Sequence, residues 1–143
     1  MGIIIALISG ALMSFQGVFN TELTKSSSTW VANIWVQFTA LLVCLAAWAV
    51  TGRPGFDGLM RTDSKLYLTG GIIGAFITLT VIQSMSALGP AKAVMLIVVS
   101  QLLVAYLIEV LGWFGVEKKG FDVMKFIGMA LAIAGIVIFK WKD

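Results

Sequence analysis

Histidine is absent from this chain, cysteine occurs once, proline twice, and only 12% of the residues are charged. With no histidine, and with Cys44 alone in an apolar run, there is no Cys-His pair for nucleophilic chemistry, no intrachain disulfide and no Cys-based metal site. P-loop and GxGxxG runs are missing too, so the residues point to no enzyme, no nucleotide, no metal and no other cofactor. The ten Lys and Arg exceed the seven Asp and Glu by a formal +3, but they fall in short connections and form no single basic face. That pattern excludes nucleic acid as the expected partner and suits contact with a membrane surface.

What is present is apolar. Hydrophobic residues make up 59% of 143 positions, and the mean hydropathy is +1.00. One small globular core cannot hide that much apolar surface, so the lipid bilayer is the expected solvent. A hydrocarbon layer of roughly 30 Å takes about 20 helical residues to cross. The sequence therefore predicts an all-α, polytopic membrane protein. It forms one five-helix domain over residues 1–143, with spans at about 2–21, 29–50, 66–88, 91–114 and 121–141.

The opening MGIIIALISGALMSFQGVFN has no basic leading segment and no small-residue cleavage signal, so it reads as a retained first helix. Glu22 to Ser28 forms the first turn, and the Gly-, Pro- and charge-rich stretch Thr51 to Lys65 the longest connection. Gly89-Pro90 breaks two apolar runs and predicts a tight helical hairpin. Span 5 is charge-free only from Phe126 to Phe139, and spans if Lys125 and Lys140 snorkel to the interfaces. Trp30, Trp48, Tyr67, Trp113 and Trp141 fall near span ends, where aromatic rings anchor at interfaces.

Polar side chains inside hydrocarbon are costly, so their placement is informative. At 100° per residue, Ser9, Met13, Gln16 and Asn20 share one face of span 1 within roughly 60°. Thr29, Asn33 and Gln37 repeat the pattern on span 2 beside Trp30. Thr80, Gln83 and Ser84 lie together on span 3 beside Phe76, and span 4 adds Ser100 and Gln101. Two readings of these stripes stand: they line a shared cavity that hydrogen-bonds a small-molecule solute, or they join the helices to one another.

Glu109 is the one charged residue well inside a span, about five residues from the predicted end of span 4. Ionisation there is costly unless water or a partner is near, so Glu109 either couples solute movement to protons or reaches an interface or span terminus. Small residues mark close helix contacts. Gly128, Ala132 and Gly135 share a face of span 5 and suggest a dimer contact, whereas Gly70, Gly71 and Gly74 in span 3 suit either a dimer or packing within one protomer. An odd number of spans puts Arg53, Arg61, Lys65, Lys118, Lys119 and Lys125 on one side and Lys25, Lys92, Lys140 and Lys142 on the other, six against four. So small a bias leaves both single and dual orientation open.

The run ALMSFQGVFNTEL in span 1, the segment GGIIGAFITLTVIQSMSALGPAKAVMLIVVSQLLVAYLIEVLGWFG through spans 3 and 4, and FIGMALAIAGIVIF in span 5 together resemble the YdcZ-like family of the drug/metabolite transporter superfamily, relatives of the small multidrug resistance exporters. The similarity covers nearly the whole chain, with Gln16, Asn20, Gln101 and Glu109 matching best. It implies a multi-pass protein of the bacterial inner membrane. It also implies five-helix protomers that assemble as antiparallel pairs, and a transporter-like role. Small multidrug exporters carry a membrane glutamate in their first helix; here no acidic residue precedes Glu22, which departs from drug-cation antiport. The expectation is a small secondary transporter acting as an antiparallel homodimer. Gln16, Asn20, Asn33, Gln37, Gln83 and Gln101 would contact solute, and Trp30 and Phe76 would pack on its apolar parts. A non-transporting scaffold or accessory subunit and a passive channel are the alternatives.

Overall fold

A computed structural model describes residues 1–140. Trp141 and Lys142, expected as an interfacial anchor and a flanking charge, and the side chain of Lys140 lie outside the described residues. The described chain is helical, with no strand among the described residues: α1 (Gly2–Lys25), α2 (Thr29–Val50), a single turn α3 (Asp57–Met60), α4 (Gly70–Leu88), α5 (Pro90–Leu111) and α6 (Val123–Lys140). A 3-10 turn, Lys65–Thr69, leads directly into α4. Counted with that turn, four helices are long and apolar enough to cross a membrane, while the apolar part of α6, Val123–Phe139, is shorter. Ile, Leu, Val, Phe and Trp side chains stay exposed around these helices. Outward apolar faces on helices that satisfy their own backbone are what hydrocarbon as solvent requires.

The chain divides into two units, Met1–Ala87 and Leu88–Asp143. In the first, α1 and α2 form an antiparallel hairpin. Polar residues carry α1 past the expected end at Thr21 to Lys25, where Lys25 Nζ pairs with Glu22 at 2.6 Å. Lys25 also places a cation at the helix C-terminus, where the macrodipole favours it. Ser28 starts α2 as its N-cap, its Oγ accepting from the Val31 N–H at 3.2 Å. Helix α4 packs on both: Asn33 of α2 donates to the Ala75 carbonyl of α4, and Gly17 of α1 faces Met85 and Val81. The buried residues of this unit, Gly17, Asn20, Ala32, Asn33, Ile82 and Met85, follow that three-helix seam. Beyond α2, the loop is held by Trp48, whose indole donates to the Pro54 carbonyl at 2.9 Å and whose ring meets Phe56.

The break expected at 89–90 is present. Gly89 has φ +79°, outside the comfortable range of other residues, and Pro90 is the first residue of α5, where a missing N–H costs nothing. Helix α5 ends three residues before the expected Phe114, because Gly112 adopts a left-handed conformation (φ +68°) and its N–H closes on the Ile108 carbonyl at 2.8 Å. A Cβ on Gly112 would also lie 2.9 Å from Lys118 Cβ. Gly112→Ala is expected to lower stability by about 1–2 kcal/mol, measurable by equilibrium unfolding in mixed micelles. In this second unit α5 packs on α6. The start of α6 is fixed by Asp122, whose carboxylate accepts from the Met124 N–H at 2.8 Å as an N-cap. The Asp122 backbone is clasped in turn by the Tyr106 hydroxyl of α5, which accepts from its N–H at 2.9 Å and donates to its carbonyl at 3.2 Å.

Candidate functional site

No side-chain hydrogen bond joins the polar stripes of α1 and α2 among the described residues. On α2, Asn33 is only 2% exposed and its Nδ2 donates to the Ala75 carbonyl at 2.9 Å. Gln37 Nε2 reaches Asn33 Oδ1 at 3.4 Å and Thr78 Oγ1 at 3.3 Å. Both amides are turned toward α4, where an unpaired amide in hydrocarbon would be costly and a helix carbonyl has a second lone pair to offer. Asn33→Ala is expected to cost about 1 kcal/mol, in the range for interhelical hydrogen bonds in membranes, read from the same unfolding equilibrium.

On α1 the arrangement differs. Gln16 and Asn20 line an open groove of about 610 Å³ between α1 and α2, together with Phe19, Leu23, Trp35, Val36, Thr39, Ala40, Val43 and Cys44. The Thr39 hydroxyl is returned to the carbonyls of Trp35 and Val36, both at 3.0 Å. Neither Gln16 nor Asn20 makes a side-chain hydrogen bond to another described residue, although Asn20 is only 7% exposed. No fully buried side-chain polar atom lacks a partner among the described residues, so the Asn20 carboxamide keeps access to the groove.

The remaining candidates are dispersed. Trp30 is exposed on the first turn of α2 and takes no part in the groove; Trp35, on another face of the same helix, is the aromatic residue that lines it. Phe76 and Gln83 are exposed on α4, and Gln101 is exposed on α5 in the second unit. Trp35, Phe19 and Cys44 escape a search for polar stripes. The signal that reveals them is the recurrence of positions 35, 36, 39, 40 and 43 at helical spacing, a face that carries no amide.

In the second unit, Glu109 is paired. Lys125 Nζ of α6 lies 3.1 Å from Glu109 Oε2 and 5.9 Å from the Tyr106 ring centroid, and the Lys119 N–H donates to the Glu109 carbonyl at 2.9 Å. These groups edge a second groove of about 350 Å³ floored by Leu102, Ala105, Gly128 and Met129. A Cβ added at Gly128 or Gly135 would meet nothing within 4 Å, and Ala132 is exposed, so this face of α6 has room for a closer neighbour than the described residues supply. The same holds for Gly70, Gly71 and Gly74 of α4, which make no close packing within the described chain. No group of His, Cys, Asp and Glu that could hold a metal ion occurs among the described residues.

Membrane-length helices with apolar outer faces, joined by short polar turns, define a multi-pass integral membrane protein. Residues 1–138 match the family model described as "Putative inner membrane exporter, YdcZ", and the chain belongs to that family of the drug/metabolite transporter superfamily. It is accordingly a multi-pass protein of the inner membrane, and its family is one of transporters. No curated protein and no solved structure matches the chain.

Proposed function

We propose that this protein is a secondary exporter that moves a small organic solute across the inner membrane by alternating access, as an antiparallel homodimer. The observation that carries the proposal is the pair of unpartnered carboxamides, Gln16 and Asn20, on a groove between two membrane-length helices of an exporter-family chain. Carboxamides that no protein group satisfies are free to hydrogen-bond a solute that enters the groove. Inverted protomers present the same groove from opposite sides, which is the symmetry alternating access uses. The uncovered Gly128, Ala132 and Gly135 face of α6 supports close approach of a second copy.

With no nucleotide-binding motif in the chain, the driving force is an ion gradient. Glu109 is the proposed proton carrier: proton binding would release Lys125, and the α5–α6 contact would change with it. Purified protein in proteoliposomes with an imposed pH gradient should accumulate a solute drawn from organic cations, sugars, amino acids and neutral aromatics, saturably and above empty vesicles. Glu109→Gln should retain solute binding but lose the dependence of flux on the pH gradient; full dependence in that variant would end the coupling role. Asn33 and Gln37, which tie α2 to α4, favour a scaffold as the second reading. Flux no greater than that of empty vesicles across the panel would support it, and conductance without saturation would identify a channel.

A further inference from the structure

The groove between α1 and α2 has a chemistry of its own. Its lining contains no charged residue: two carboxamides, the rings of Phe19 and Trp35, the aliphatic chains of Leu23, Val36, Ala40 and Val43, a back-bonded hydroxyl at Thr39 and the thiol of Cys44. From Asn20 and Leu23, beside the polar turn that ends α1, the groove runs along the apolar body of α2 to Cys44, and a charged solute moving along it would leave its water without meeting a counter-ion, at a cost of several kcal/mol. An uncharged one loses far less, and two carboxamides offer it four N–H donors and two carbonyl acceptors. Asn20 is the most confined of these groups, more than nine-tenths buried yet without a hydrogen-bond partner among the described residues. Phe19 and Trp35 remain mostly exposed at the groove, so its mouth is apolar and open on the outer faces of α1 and α2.

We infer that the solute of this groove is an uncharged amphipath, an aromatic or aliphatic body bearing an amide or hydroxyl group, which enters from the lipid phase between α1 and α2 and is anchored by the Asn20 carboxamide. The inference rests on the groove being the solute site proposed above, and names its substrate class. It separates this protein from carriers that hold an organic cation against a membrane carboxylate.

Cys44, the chain's only cysteine, lies in the same groove and supplies the test without any engineering. The full-length protein in lipid nanodiscs is treated with N-ethylmaleimide, and the rate of Cys44 alkylation is followed by intact mass. Three probes of similar shape are compared: 4-phenylbutyramide, 4-phenylbutylammonium and 4-phenylbutyrate. The amide should slow alkylation at least fivefold at a concentration where the ammonium and carboxylate forms change it less than twofold. Asn20→Leu, checked for monodispersity, should lose that protection, and Asn20→Asp should transfer it to the ammonium probe. Equal protection by all three probes would mean nonspecific partitioning, and better protection by the ammonium would mean a cation site; either overturns the inference. It is also overturned if no probe protects, or if Cys44 is unreactive in nanodiscs but reactive in detergent, since acyl chains would then fill the groove. Protection without flux in proteoliposomes would uphold the substrate class and end the transport reading. Flux of a cation with no protection by the amide would do the reverse.

Discussion

Gln16→Ala is expected to reduce solute flux in proteoliposomes at least tenfold while leaving the unfolding transition in micelles unchanged. The side chain is exposed on α1, lines the groove, and makes no hydrogen bond to another described residue, so no protein hydrogen bond depends on it. Alanine is also the best helix former, which removes any backbone cost. What disappears is one end of the amide pair. A single hydrogen bond to a solute is worth about 1.4 kcal/mol, and that is a factor of ten in affinity. Unchanged flux would mean that solute does not pass between α1 and α2, and the functional reading would move to another part of the molecule.

The next residue along should behave in the opposite way. Gly17→Val is expected to destabilise the protein by about 2–3 kcal/mol, the scale of overpacking in a close contact, with a corresponding loss of monodisperse material. A Cβ at Gly17 would run into the end of the Met85 side chain and come within 3.3 Å of Val81 Cγ1, both on α4. Methionine is flexible and can yield to one methyl group, so Gly17→Ala should be mild. The two methyls of valine reach Val81 as well, and a β-branched chain cannot turn away from it. Shortening the obstacle should rescue the variant: Gly17→Val combined with Met85→Ala is expected to recover at least half of the lost stability. If the double variant is no better than the single one, α1 and α4 are not in contact there. Opposite outcomes at two adjacent positions would separate a residue of the proposed solute groove from one that serves the seam.

Helix existence was legible because hydropathy and membrane thickness act along the chain, and four apolar runs of membrane length admit few alternatives. Helix ends were less so. The extension of α1 to Lys25 depends on a polar turn outside the hydrocarbon, and the early end of α5 depends on one glycine, Gly112, in a left-handed conformation. The arrangement of the candidate residues was legible in half. A helical wheel shows that Gln16 and Asn20 share a face, and the groove keeps them together. It shows equally that Asn33 and Gln37 share a face, but not which neighbour that face meets. Their partners, Ala75 and Thr78, lie about forty residues away and are set by tertiary packing. Trp30 and Trp35 look equivalent in composition, yet five residues turn them about 140° apart on a helix, and only the second reaches the groove. Glu109 shows the same limit: the residue that answers its charge, Lys125, is on the following helix.

The clasp between Tyr106 and Asp122 has a consequence for the ion pair beside it. By holding the first cap of α6 against the body of α5, it fixes where that helix begins, and so the level at which Lys125 stands beside Glu109. A helix that started one turn later would carry Lys125 about 5 Å along its axis, beyond the reach of a direct hydrogen bond. The register of the two helices and the pairing of their charges are therefore one property, held by a single phenol.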